Sequence, residues 1–252
     1  EKFKNMQTEM REYGIDSKLL NNQQLEKHLP LKSGRYIGGL YCPGDGCAEP
    51  SLATNAIAEQ ARKLGAQIIT QTAARALDTS AGLLTGVHTE KGLIRCETVL
   101  IAAGAWTRLF LGNHKIDFPQ LLVRGSVARI QHAKKTPDFI IGGRDFAIRK
   151  RQDGEYTIAI RNSNDVFLTK DIFTQAMRYI KQLPSYWPDI NFHLDNHFIE
   201  DFRIPRRWCI DEITPFEINR TNTKSFSTHY PAKALDKIIK ALPNFQGAII
   251  IH

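Results

Sequence analysis

Apolar residues recur along the chain with two different periods, and the switch between them organises it. Met6, Met10 and Tyr13 fall at helical spacing in a polar stretch that Gly14 ends, and NNQQLEKHL predicts a second short helix stopped by Pro30. Residues 35–41 (RYIGGLY) read as a short strand whose paired glycines either weaken it or let another backbone come close. The turn-forming run CPGDGCAEP follows, and Pro50 stands where a helix begins, because the first helical N–H groups have no intrahelical acceptor. In SLATNAIAEQARKL, Leu52, Ala53, Ala56, Ile57, Ala61 and Leu64 share one helical face, and Gly65 is placed to end the helix.

Beyond residue 65 the period becomes that of strands. AQIIT (66–70), ARALD (74–78), GLLTGVHTE (82–90) and GLIRCETVLIAAG (92–104) predict a strand, a meander and a buried strand, with turns at 80–82 and 91–92. The second half differs in texture: residues 121–130, 146–149 and 155–161 read as long strands, the last two joined by a tight turn at 152–154. An amphipathic helix over 171–183 places Ile172, Ala176, Tyr179 and Ile180 on one face, PAKALDKIIKALPNF predicts another, and GAIIIH predicts a strand. The expected fold class combines α/β and α+β: half of a two-layer, Rossmann-like nucleotide-binding lobe interleaved with a mixed-sheet lobe whose helices pack on one side.

Composition narrows the setting. With 252 residues, 42% of them hydrophobic and 24% charged, the chain can bury a core without staples. It carries no apolar run long enough to span a bilayer, and its start does not resemble a signal peptide, so a cytoplasmic location is expected, with peripheral membrane attachment left open. The net charge of +8 raises nucleic acid as a partner, yet the basic residues are dispersed. Their densest cluster, RDFAIRKR at 144–151, alternates as a strand, and no zinc-finger, helix-turn-helix or RNP pattern accompanies it. No nucleic-acid partner is expected, and a basic lobe that draws carboxylate substrates is the better use of the charge. Cys42, Cys47, Cys96 and Cys209 show neither CxxC spacing nor paired histidines, so no metal is expected. Cys42 and Cys47 could form a redox pair, but two free thiols in a reducing compartment is the preferred reading.

The segment VLIAAGAW has the form of a strand ending in a turn nearly without side chains, Ala102, Ala103 and Gly104. Dinucleotides lie at such strand ends, although an ordinary buried strand with a glycine turn has the same form. Its surroundings add to this. GGLYCPGDGCAEPSLATNAIAEQARKLGAQIITQT, followed by GVHTEKGLIRCETVLIAAGAW, resembles the D-amino-acid oxidase superfamily of flavoproteins, which includes D-amino-acid dehydrogenases and glycine and sarcosine oxidases. The likeness covers most of residues 14–130. GGRDFAIRKRQDGEYTIAIRN and WCIDEITPFEINR resemble one branch of it less closely.

That resemblance implies an FAD cofactor and hydride transfer from the alpha carbon of a D-amino acid or secondary amine to the flavin, with oxygen or a quinone as electron acceptor. It implies that Ala74 meets the adenine, that Ala102, Ala103 and Gly104 lie beside the ribose and pyrophosphate, and that Trp106 is a turn aromatic that packs or borders the cofactor. It further implies an FAD-binding lobe at 48–112 and 236–252 and a substrate lobe at 1–47 and 113–235. Two departures stand against it: no GxGxxG occurs anywhere, and the chain stops near residue 249, where the family's flavin-lining segment would begin. A fragment lacking both ends is therefore expected, with a cradle too incomplete to hold FAD alone.

A carboxylate substrate calls for the planar fork of an arginine. Arg124, Arg149, Arg161 and Arg220 are the candidates, with Arg149 and Arg161 placed to meet across a hairpin and Tyr156 to cap the carboxylate; each also has the plain reading of a sheet residue. His88, His193, His197 and His229 form no triad or metal pattern, and a neutral amine substrate requires no general base. Two other functions remain open: a non-catalytic binding module, and a related flavoprotein acting on a 2-hydroxy acid or a modified tRNA base.

Overall fold

The computed structural model describes residues 1–123, 125–131, 140–161, 163–180, 190–194, 196–220 and 229–251, with the backbone alone at 196 and 197. In chain order the elements are α1 (Lys2–Glu12), β1 (Lys18–Asn21), α2 (Asn22–His28), β2 (Gly38–Tyr41), α3 (Pro50–Lys63), β3 (Ala74–Ser80), β4 (Leu83–Thr89), β5 (Gly92–Arg95) and α4 (Thr107–Asn113). There follow β6 (Val127–Gln131), β7 (Ile141–Gly142), β8 (Phe146–Lys150), β9 (Tyr156–Ile160), β10 (Asn164–Phe167), α5 (Lys170–Tyr179), β11 (Ile190–His193), α6 (Asn196–Arg203), α7 (Pro215–Ile218), α8 (His229–Ala241) and β12 (Ile249–Ile250). The chain folds as two compact units, the first made of Glu1–Leu64, Ser126–Asn162 and Phe226–His252, the second of Gly65–Gly125 and Ser163–Ser225. Their borders fall at other points than the lobe borders expected from the sequence, and α3 groups with the first unit.

The first unit is built on a five-stranded sheet in the order β12-β6-β9-β8-β7, antiparallel at every pairing. Alternation along the strands sends Ile130, Phe146, Ile148, Tyr156 and Ile158 to one face, where Ala234, Ile238 and Ala241 of α8 cover them together with Leu242 and Phe245. The opposite face carries a row of Arg129, Thr157 and Arg149 in register across three strands, and then a row of small or aliphatic residues, Val127, Ala159 and Ala147. The predicted strand over 121–130 is shorter than expected: pairing with β9 begins at Val127, opposite Ala159, and Leu122 and Val123 are exposed. At the start of the chain, α1 and α2 form as predicted, the second closed by a capping box between Asn21 and Gln24. The paired glycines serve the close approach of β1 and β2, since a Cβ at Gly38 would collide with the Leu20 carbonyl. Helix α3 also spans its predicted residues, with Pro50 in its first turn, but buries none of its apolar face; Ile57 is 70% exposed.

The second unit holds the predicted meander β3-β4-β5, turned at Ala81 and Gly82 with positive φ at both, and a short parallel pair, β10 with β11. Several sheets of both senses with flanking helices make the chain a mixed α/β structure. Two expected strands are absent. Residues 66–70 and 98–103 form no ladder, and Leu100 is 91% exposed. Apolar sequence supplies the burial drive for a strand, but a strand also needs a neighbouring backbone, and neither segment has one among the described residues. Helix α5 starts one residue before its predicted start, and its predicted end at 183 lies outside the described residues. The unit's aromatic centre is Phe216, edge-on to Trp106 and Trp208 and tilted against Phe110. All four cysteines are free thiols.

Candidate functional site

The turn expected to border a dinucleotide is open to solvent. Ala102, Ala103, Gly104 and Ala105 are all exposed, and Gly104, at φ +53°, starts a single 3-10 turn ending at Trp106. Gln120 braces it: its amide nitrogen donates to the Gly104 carbonyl at 3.0 Å, and its amide oxygen accepts from Arg108 N at 3.2 Å. Trp106, expected to pack or to border the cofactor, sets its ring edge-on to Phe216 with centroids 5.4 Å apart. Ala74 is exposed at the first position of β3, paired with Thr89. At Ala74 and at residues 102–105 no side chain reaches past Cβ, so a flat ligand can approach the backbone there, as the edge of FAD would require. The residues do not fit its pyrophosphate: the longest helix start among the described residues, at α3, presents the Glu49 carboxylate and Pro50 instead of glycine N–H groups.

Within the first unit, the candidate substrate residues Arg149, Tyr156 and Arg161 are not brought together. Thr157, not Arg161, is the partner of Arg149 in the hairpin, and Arg161 lies four residues further along, about 13 Å away at 3.3 Å per residue. Arg149 is already committed, donating to the Ala48 carbonyl at 2.7 Å and to Glu49 Oε2 at 3.2 Å. Arg161 is exposed and donates through Nη1 to the Gly143 carbonyl at 3.2 Å. Tyr156 is 3% exposed in the core, edge-on to Phe245 at 5.1 Å, because its strand position has the parity of Ile158 and faces α8. In the second unit, Arg220 pairs with Glu90 through both terminal nitrogens, at 3.0 and 2.7 Å. Arg124 lies outside the described residues.

Several charged groups join in ways that sequence spacing does not suggest. Glu49 is 7% exposed and takes Arg149, Arg151 at 3.4 Å and the Gln152 N–H at 3.3 Å, tying the start of α3 to the β8–β9 turn. The Arg220 fork, with help from the Ala73 N–H, holds the Glu90 carboxyl at about 2. Glu217 accepts both arms of Arg75 at 3.0 and 2.9 Å while closing the capping box of α7 with Thr214. That bond, with smaller help from Thr214, keeps its carboxyl below the ordinary range. Two histidines do meet acids: His88 lies 3.2 Å from Asp78, and His193 lies 2.7 Å from the buried Asp165. The Asp78 carboxyl is held low, first by the Thr85 hydroxyl and then by His88. His114 is lowered by burial, and its Nε2 accepts the Leu77 N–H at 3.1 Å, which fixes the neutral ring. Among the described residues no cluster of three or more His, Cys, Asp or Glu could hold a metal ion. His229 stacks edge-on with Tyr230, and the His197 side chain is outside the description.

An exposed alanine–glycine turn on a mixed α/β scaffold is in keeping with the relatives of the sequence. The profile of the FAD dependent oxidoreductase family (DAO) matches residues 1–214, and the chain belongs to that family. Among curated proteins it is similar to 4-methylaminobutanoate oxidase (formaldehyde-forming) of Paenarthrobacter nicotinovorans, 33% identical over 107 residues, which are 42% of this chain and 13% of that protein. It is also similar to a D-amino acid dehydrogenase of Rhizobium johnstonii, 30% identical over 133 residues, 52% of this chain and 30% of that one. Among solved structures, L-amino acid deaminase from Proteus vulgaris superposes with a TM-score of 0.89 at 27% identity, covering 99% of this chain and 59% of that chain. The chain thus spans less than two thirds of the length of each of these three relatives.

Proposed function

We propose that these residues form part of an FAD-dependent oxidoreductase that oxidises the carbon–nitrogen bond of a D-amino acid or secondary amine. The observation that carries this reading is the family match over residues 1–214 together with the exposed, nearly side-chain-free turn at Ala102–Gly104. FAD, when bound, supplies the acceptor for the hydride that leaves the alpha carbon. On this reading Ala74 and the turn border the cofactor, and residues supplied from outside this span complete the pyrophosphate cradle, so the 252 residues alone do not retain it.

Of the candidate arginines, Arg161 is the one we assign to the substrate carboxylate. Arg149 and Arg220 each have a carboxylate of the protein in their forks, whereas Arg161 gives one bond to a carbonyl and keeps its remaining donors toward solvent. The amine enters neutral, so no general base is needed for the hydride step.

Electrons pass to oxygen or to a quinone. A membrane-peripheral placement is favoured by α5 and α6, which expose Phe173, Met177, Ile199 and Phe202 beside the basic Arg203. No helix of the described residues is long and apolar enough to cross a membrane.

The test is spectroscopic. A protein containing these residues and the family's remaining segments is expected to show flavin absorbance in the near ultraviolet and blue that bleaches anaerobically with a subset of D-amino acids, sarcosine and 4-methylaminobutanoate, and not with L-amino acids alone. A colourless full-length protein, or a flavin reduced by 2-hydroxy acids and no amine, overturns the reading.

A further inference from the structure

The second unit contains a cleft of about 390 Å³ whose charge the reading above does not use. Five cations line it, Arg108, Lys115, Lys170, Arg206 and Arg207, against two acids, Asp117 and Asp171. Both acids are already taken. Asp171 accepts from Arg108 Nε at 2.9 Å and Arg206 Nη1 at 3.0 Å, and Asp117 accepts from Arg108 at 3.1 Å and from Arg178. Asp201, which binds Arg206 through both oxygens, uses its Oδ2 again for the Lys170 backbone N–H. The side chains of Lys115, Lys170 and Arg207 are left without a carboxylate among the described residues, and Arg206 Nε is buried with no acceptor.

Backbone conformation adds an independent sign. Lys115 follows the C-cap of α4 with φ +60°, the left-handed position that glycine or asparagine normally fills, while Ile116 N bonds back to the Leu111 carbonyl at 3.1 Å. A side chain is kept at a place where the backbone favours having none, and that side chain lines the cleft.

We propose that this cleft binds a small phosphate-bearing anion. Three uncompensated positive charges suit a dianionic group better than a monocarboxylate, and Leu109 and Ile116 give an apolar surface for the carbon body attached to it. The phosphate can belong to a soluble ester or to a lipid headgroup, and the site is independent of the flavin reading.

Inorganic pyrophosphate titrated into the full-length protein at low ionic strength is expected to bind saturably with one site per chain. Lys115→Gly, which gives the backbone its preferred residue while removing the charge, and Arg207→Ala should each weaken binding at least tenfold. Arg95→Ala, at a residue of the second unit that pairs with Asp78 and does not line the cleft, should leave it unchanged. Competition by glycerol 3-phosphate identifies a soluble ester. Retention on phosphatidic acid vesicles but not phosphatidylcholine vesicles, lost in Lys115→Gly, identifies a headgroup. Absence of saturable binding, or equal binding by wild type and the two cleft variants, overturns the proposal.

Discussion

Arg220 and Glu90 close on each other through two parallel hydrogen bonds, at 3.0 and 2.7 Å, although 130 residues separate them. The bond consumes a guanidinium fork that would otherwise suit a substrate carboxylate, and it joins the end of β4 to the segment after α7. Arg220→Ala is therefore expected to lower the melting temperature without changing substrate affinity. Arg161→Ala is expected to do the reverse: a lost charge-assisted pair is worth about 1.5–3 kcal/mol, so KM should rise about ten- to hundredfold with stability nearly unchanged. Steady-state kinetics beside thermal melts distinguish the two.

The same pair sets an acid limit. Glu90 is held at about 2 in the folded protein against an ordinary 4.5, so the unfolded chain binds more protons between those values. Stability from this group is complete above about pH 4.5 and drains away as pH falls toward 2. Glu90→Gln should flatten that part of a stability-versus-pH curve measured by chemical denaturation.

His114 makes a second, milder limit nearer neutrality. Burial lowers its folded value below 6.5, so its contribution is present above pH 6.5 and is lost as pH falls through the folded value. Protonation also removes the acceptor for the Leu77 N–H. A ring-proton NMR titration is expected to place His114 below 6.5, and an ordinary or raised value would contradict the buried neutral ring.

In the first unit the core rests on α8. Ile238 is fully buried between that helix and the sheet, and truncation to alanine leaves a cavity costing about 2–5 kcal/mol. Urea denaturation should show that loss for Ile238→Ala, while Ile57→Ala on the exposed face of α3 should show almost none within the isolated 252 residues.

Local signals in the sequence were read well where the structure is local. Met6 and Met10, Pro30, Pro50 and the turn at 152–154 each mark an element, or its end, that the structure contains. What failed needed partners. Residues 66–70 and 98–101 have strand composition, but a ladder depends on a neighbour that no local pattern reveals. Register decided the site as well. One residue of parity puts Tyr156 in the core and Thr157 beside Arg149, and the unbroken register Ala76↔His88, Asp78↔Gly86 puts His88 and Asp78 on one face as diagonal neighbours. The exposed alanine–glycine turn is legible because a run of residues without long side chains is read directly from the sequence. The ion pairs of Glu49 and Glu90 were not, since each joins segments about 100 or more residues apart.

The helix that roofs the five-stranded sheet comes late in the chain, and this has a consequence for biosynthesis. About 80 residues lie between Ile158 on the sheet and Ile238 above it, so at 5–20 residues per second roughly 4–16 s pass before the ribosome delivers the cover. Throughout that interval Ile130, Phe146, Ile148 and Ile158 form an uncovered apolar surface on the nascent chain. Chaperone capture of translation intermediates is accordingly expected to peak after β9 emerges and to end when α8 does.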